Sequence, residues 1–214
     1  MSLESCHIRK ATIADLDALV DLHYRVFDEH SHYAMLFGRR FIRATYRWYC
    51  RAPMAFALVG EIDGEIKGSC TVNRGSYYAV FRANPVEFAL LFLRKPRLLL
   101  VKPVRHRLAT LLKGYGAPRQ TMEPHASRAY LAYLAVDASA RGSGMGNNLI
   151  KRAIEECERR GWGGIVTAIH RSNVPARFMY KTLGFEDAPD LSHDDLVGVA
   201  FNRRLAEARQ AQER

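Results

Sequence analysis

Arg141-Gly142-Ser143-Gly144-Met145-Gly146 follows the apolar run Tyr130-Leu131-Ala132-Tyr133-Leu134-Ala135-Val136 and opens the amphipathic segment Asn147–Arg160. Strand, glycine-rich turn and helix start, in that order, make an anion site. The turn's main-chain N–H groups and the positive end of the helix dipole point to one place. Glycine lets a phosphate come close because no Cβ intervenes. Arg141 adds a full positive charge at the mouth of the turn. The reading is a site for a ligand carrying a pyrophosphate.

Three kinds of phosphate loop compete for this segment. A Walker loop requires Gly-Lys-Ser/Thr after its second glycine, and here Asn147-Asn148 follows Gly146. A dinucleotide fingerprint requires Gly-x-Gly-x-x-Gly and an acidic residue ending the next strand; the next strand, Gly164–His170, has none. Arg141-x-x-Gly144-x-Gly146 fits the third pattern, Arg/Gln-x-x-Gly-x-Gly/Ala. Downstream lies Asn173-x-x-Ala176-x-x-x-Tyr180-x-x-Leu183-Gly184-Phe185. Ala176 and Tyr180 are four apart and share a helix face, and Gly184 suits the position just past a helix end. Both segments together resemble the GNAT N-acetyltransferase superfamily, specifically from about Tyr130 to Phe185 and more loosely from Cys6 to Asn73.

The resemblance implies an α/β (α+β) GNAT fold, with a central mixed, mostly antiparallel twisted sheet flanked by helices. It implies transfer of an acetyl group from acetyl-CoA to a primary amine. The pyrophosphate would be held by Arg141, Gly142, Ser143, Gly144, Met145, Gly146 and Asn147. Leu134, Ala135 and Val136 would offer main-chain groups to the thioester where the strand parts from its neighbour. Tyr180 would protonate the leaving thiolate, and Asn173 would orient the pantetheine arm or a water. Their structural alternatives are core packing for Tyr180 and helix capping for Asn173. The Glu that several relatives place early on this strand is replaced by Tyr130. Glu29, His30 and His32, in the loop bordering the family's acceptor site, are the alternative candidates for a base, with Tyr133 or a water chain also open. No metal is expected, since the four cysteines lie far apart without ligand spacing.

Outward from this half, the elements read in family order. His7–Thr12 reads as a strand, and Thr12 with Asp15 resembles a capping box. Leu16, Leu19, Val20, His23 and Phe27 recur at helical spacing. Arg39–Cys50 reads as a second helix. Phe56–Ile62 and Glu65–Asn73 flank Asp63-Gly64, a hairpin turn. Val174–Leu183 is a helix, Leu196–Asn202 a last strand, and Arg203–Arg214 a polar helix or tail. The whole reads as one domain, residues 1–214, with residues 75–127 a basic helical insertion in a connection usually short in the family.

The chain carries a net charge of +10, with ordinary hydrophobic (48%) and charged (25%) fractions for a soluble globular protein. No signal peptide or membrane span is apparent, so a cytoplasmic location is expected, peripheral membrane placement remaining open. Between Arg82 and Arg119, nine basic residues face Glu87 alone, leaving +8. Such a cluster suits an acidic protein or an anionic membrane surface, and no nucleic acid is expected. Two other functions stay open: an acyltransferase taking a longer chain from an acyl carrier protein, and a non-catalytic acyl-CoA sensor at a membrane. Among acceptors, an amino sugar or amino acid is favoured over protein lysine.

Overall fold

The computed structural model describes residues 6–28, 32–74, 83–100, 104–105, 109, 128–192 and 195–201, with Tyr33, Glu87 and Phe88 described by main chain alone. Its centre is a seven-stranded sheet in the order β1-β2-β3-β4-β5-β7-β6. The strands are β1 (His7–Lys10), β2 (Ala55–Ile62), β3 (Glu65–Arg74), β4 (Ala129–Val136), β5 (Ile165–His170), β6 (Glu186–Asp187) and β7 (Leu196–Phe201). Every neighbouring pair is antiparallel except β4 and β5. The helices are α1 (Leu16–Val26), α2 (Arg39–Arg51), α3 (Pro85–Arg94), α4 (Met145–Arg159) and α5 (Val174–Thr182).

Alternation along β2 explains the layering. Ala55, Ala57 and Val59 face one core with residues of α1, α2 and α3, while Phe56 and Leu58 face a second core with residues of α4 and α5. A strand covered on both faces needs an unbroken apolar run, which Ala55–Val59 supplies. The β2–β3 turn forms where expected: Asp63 and Gly64 both take positive φ, 52° and 77°, the backbone a two-residue hairpin requires. At the N-terminus, the Asp15 carboxylate accepts from the Thr12 amide at 2.7 Å and the Thr12 hydroxyl at 2.9 Å. Those bonds and the Arg9 guanidinium hold the Asp15 carboxyl down to about 2, the arginine being the larger cause.

Three elements differ from the sequence reading. The fourth helix begins at Met145 rather than Asn147, because Gly144 completes the turn and Met145 is already drawn into the core. A short strand, Glu186–Asp187, pairs with β7, too brief for a periodicity signal. Tyr33–Phe37 forms a 3-10 turn leading into α2. Residues 202–214 and most of 101–127, read as a tail and as part of the insertion, lie outside the described residues.

Candidate active site

The glycine turn is anchored from both ends. At its start, the Asp137 carboxylate accepts from the Ser139 amide at 3.0 Å and hydroxyl at 2.8 Å, and from Arg25 Nε of α1 at 2.8 Å. The Ser139 bonds, then Arg25, hold the Asp137 carboxyl down at about 2. The Asp137 amide donates to the Lys67 carbonyl at 2.8 Å, Lys67 being the extra residue where the β2–β3 register shifts. At its other end Met145 is completely buried. Its thioether lies over the paired Gly60 and Gly68 of β2 and β3. A Cβ on Gly68 would stand 2.4 Å from the Met145 sulfur, and one on Gly60 3.2 Å from it. These two glycines form a shallow seat that fixes the first turn of α4 against the sheet.

Between the anchors the turn is open. Gly142 and Gly144 both have φ 82°, and a Cβ at either would meet nothing within 4 Å. Among the described residues, the amides of Gly142, Gly144, Gly146 and Asn147 donate to no protein acceptor; those of Gly146 and Asn147 lie in the first turn of α4, where amides have no partner within the helix. Ser143 is exposed, its hydroxyl donating to the Ala140 carbonyl at 2.8 Å. Arg141 is exposed beside the turn. The Met145 side chain, within the turn that the sequence assigns to the pyrophosphate, is in the core and anchors the loop.

The strand before the turn forks. β4 and β5 pair only at Ala129↔Ile165 and Tyr130↔Val166. Thr167 closes the fork at its base, its hydroxyl donating to the Leu131 carbonyl at 2.9 Å. Beyond it, the β5-facing edge of Leu134–Val136 meets no strand among the described residues. β4 also carries a bulge: Thr71 pairs with Tyr133 and Val72 with Leu131, so Ala132 is the extra residue. The Tyr133 amide is taken by the Thr71 hydroxyl at 3.1 Å. Because side chains alternate with period two, one inserted residue reverses the faces. Ala129 and Leu131 face the α4–α5 core, as do Leu134 and Val136, while Tyr133 is turned into the α1–α2 core.

Tyr180 is 3% exposed and packs edge-on against Phe185, with ring centroids 4.9 Å apart. Burial, then the Cys70 thiol and the Tyr130 phenol, push its hydroxyl well above the ordinary phenol range. Cys70 is the register partner of Leu134, so the phenol belongs to the same part of the sheet as the fork. A phenol so raised stays protonated at neutral pH. Asn173 caps α5: its side-chain oxygen accepts from the Ala176 amide at 3.2 Å, and its side-chain NH2 is not used in the cap. Glu29 and His30 lie outside the described residues.

His32 lies among rings: 5.0 Å from His23, 4.9 Å from Phe27 and 4.9 Å from Tyr133 between centroids. His23 is the better-defined member of this cluster. It is wholly buried, its Nδ1 lies 3.0 Å from the Tyr46 hydroxyl, and its Nε2 has no hydrogen-bond partner. Burial, then the neighbouring His32, lower its pKa to about 3, so it is neutral near pH 7. Sequence reading saw His23 only as one of the periodic core positions of α1. It missed Thr71 and Thr167 altogether; a threonine inside a buried strand was the available signal. The glycine seat also had a signal, two strand glycines flanking one hairpin turn.

The profile of the Acetyltransferase (GNAT) family matches residues 19–185. A search of curated proteins found no match. Among solved structures, the GNAT domain of S. lividans PAT is similar at TM-score 0.60 and 15% identity, covering 92% of this chain and 90% of that one. The PaiA N-acetyltransferase of Thermoplasma acidophilum, solved with coenzyme A, is similar at TM-score 0.59 and 12% identity, covering 92% and 99%. The ribosomal-protein-S18-alanine N-acetyltransferase of Escherichia coli is similar at TM-score 0.56 and 15% identity, covering 92% and 94%. At these identities the likeness is one of fold. With the family profile spanning most of the chain, the forked strand pair and the open glycine turn belong to a member of the GNAT acetyltransferase family.

Proposed function

We infer that the protein transfers an acetyl group from acetyl-CoA to a primary amine of a small acceptor, by direct attack. The observation that carries this reading is the fork of β4 and β5 immediately before the open turn. A thioester lying in the fork would place its carbonyl against the free edge of Leu134–Val136, where a main-chain N–H stabilises the oxygen as it gains charge. Its pyrophosphate would take the amides of Gly142, Gly144, Gly146 and Asn147, with Arg141 as counter-charge. The neutral amine attacks the carbonyl carbon, a C–N bond forms and the C–S bond breaks. Tyr180 gives its proton to the departing thiolate, and the amine's surplus proton leaves through His32 or water. The Asn173 side-chain NH2, unused in the helix cap, would donate to the pantetheine arm.

Charge supports one class of acceptor over another. The net charge of +10 repels polyamines and favours acceptors with an anionic group, such as amino acids and nucleotide-linked amino sugars. The test is a panel assay with purified protein and acetyl-CoA, in which free thiol release and the mass of the product are read together. Acetylated product from at least one small amine is expected. Binding of coenzyme A without transfer to any amine in the panel, or transfer to protein lysine alone, would contradict this reading.

A further inference from the structure

Among the described residues, the segment between β3 and β4 has an exposed apolar face that the transfer reaction does not use. Apart from Glu87 and its terminal Arg94, α3 is apolar around its whole circumference. Among the described residues one side is covered: Leu91, and after the helix Leu98 and Val104, are buried in the α1–α2 core, with Phe92 packed against it. Lys95 Nζ adds a bond to the Leu36 carbonyl at 3.2 Å. Val86, Ala89, Leu90 and Leu93 recur every three or four residues and so form one line on the other side. Val86 is 68% and Leu93 79% exposed, and in the following turn Leu100 is 77% exposed. Arg94 ends the helix, Arg97 lies in the turn that follows and Arg105 comes later in the same segment, and all three are exposed. None of the three has a carboxylate partner among the described residues.

We propose that this face docks on the surface of an anionic lipid bilayer. The Val86–Leu93 line and Leu100 enter the acyl boundary, and Arg94, Arg97 and Arg105 meet the headgroup phosphates. The side-chain chemistry selects lipid over an acidic protein. Protein interfaces concentrate their binding energy in aromatic and arginine anchors seated in pockets. Here the exposed large apolar side chains of the segment, Val86, Leu93, Leu99 and Leu100, are all aliphatic, and among the described residues none is aromatic. A lipid surface requires no shaped cleft, only an apolar line with cations at its border. Because α3 packs on the α1–α2 side of the sheet, docking leaves the glycine turn and α4, on the other side, free to exchange coenzyme A.

Cosedimentation tests it, with the full chain and vesicles of phosphatidylcholine alone or mixed with phosphatidylglycerol, at low and high salt. The wild type is expected to sediment with the mixed vesicles at low salt, less at high salt, and not with the neutral ones. Arg94→Gln/Arg97→Gln should lower partitioning roughly thirty-fold, at the usual worth of two cations near an anionic surface. Leu93→Ser/Leu100→Ser should also lower it, while both variants keep the wild-type thermal transition because the altered side chains are exposed. Failure of the wild type to bind mixed vesicles at low salt would overturn the proposal. So would binding that neither double variant reduces, which would mean another surface is responsible. Retention on immobilised acyl carrier protein without vesicle binding would reassign the face to an acidic protein.

Discussion

His23 makes the stability of this fold depend on pH between about 7.5 and 5. An ordinary histidine titrates near 6.5, and burial holds this one at about 3 in the folded chain. Between those values the unfolded chain takes up a proton that the folded chain refuses. The stabilising contribution is therefore complete above about pH 7 and is lost as the pH falls. Integrating the proton difference from roughly pH 7.5 down to pH 5 gives a loss of about 2 kcal/mol. That figure changes little if the folded value is anywhere well below 5. The depressed carboxyls of Asp15, Asp137 and Glu156 have the same sign. They lose their contribution only as pH falls below about 5, since their unfolded values are near 4. Urea unfolding at a series of pH values measures the effect, and His23→Gln is the comparison. Glutamine offers the Tyr46 hydroxyl an amide but does not titrate. The variant starts less stable, so the readout is the slope with pH and not the absolute stability. The wild type should lose about 2 kcal/mol over the window and the variant well under half of that. Equal slopes would refute the argument that His23 is buried neutral.

Further expectations concern the site's supports. Gly68→Ala forces the Met145 thioether from its seat, at an overpacking cost of about 1–3 kcal/mol, and should weaken acetyl-CoA binding without touching the ligand. Adding Met145→Ala should recover part of that affinity in calorimetric titration, whereas strictly additive losses would disconnect the seat from the loop. Thr167→Val leaves the Leu131 carbonyl without its partner at the base of the fork and should cost about 1–3 kcal/mol in denaturant unfolding; an unchanged midpoint would remove the clamp from the account. Tyr180→Phe should lower single-turnover transfer by roughly 10²–10⁴-fold with acetyl-CoA affinity nearly unchanged. A normal rate would return Tyr180 to core packing.

The cofactor half was legible because its signals are local. Glycines with positive φ, a helix-capping asparagine and a post-helix glycine each reveal their role within a few neighbouring residues. The hairpin was legible for the same reason through Asp63-Gly64. The Ala132 bulge was not, because Tyr130–Val136 reads as an apolar run on either phase and the shift exists only relative to β3. The Gly60–Gly68 seat depends on register across a hairpin and on a methionine far along the chain. His23 looked like any core position of α1, since periodicity cannot tell a buried imidazole from a buried leucine. Met145 was read with the phosphate loop because it sits between two glycines, and only packing reveals that its side chain points inward.

The central claim is that the open turn holds the pyrophosphate of acetyl-CoA. The most direct test is a calorimetric titration of acetyl-CoA into the wild type, Gly144→Val and Gly161→Val. Both glycines have positive φ, 82° and 67°, and a Cβ at either meets nothing within 4 Å. The two variants therefore carry a similar backbone penalty, but only Gly144 lies on the turn. The account predicts wild-type affinity for Gly161→Val and loss of binding for Gly144→Val at a similar reduction in thermal stability. Equal affinity in the two variants would contradict it.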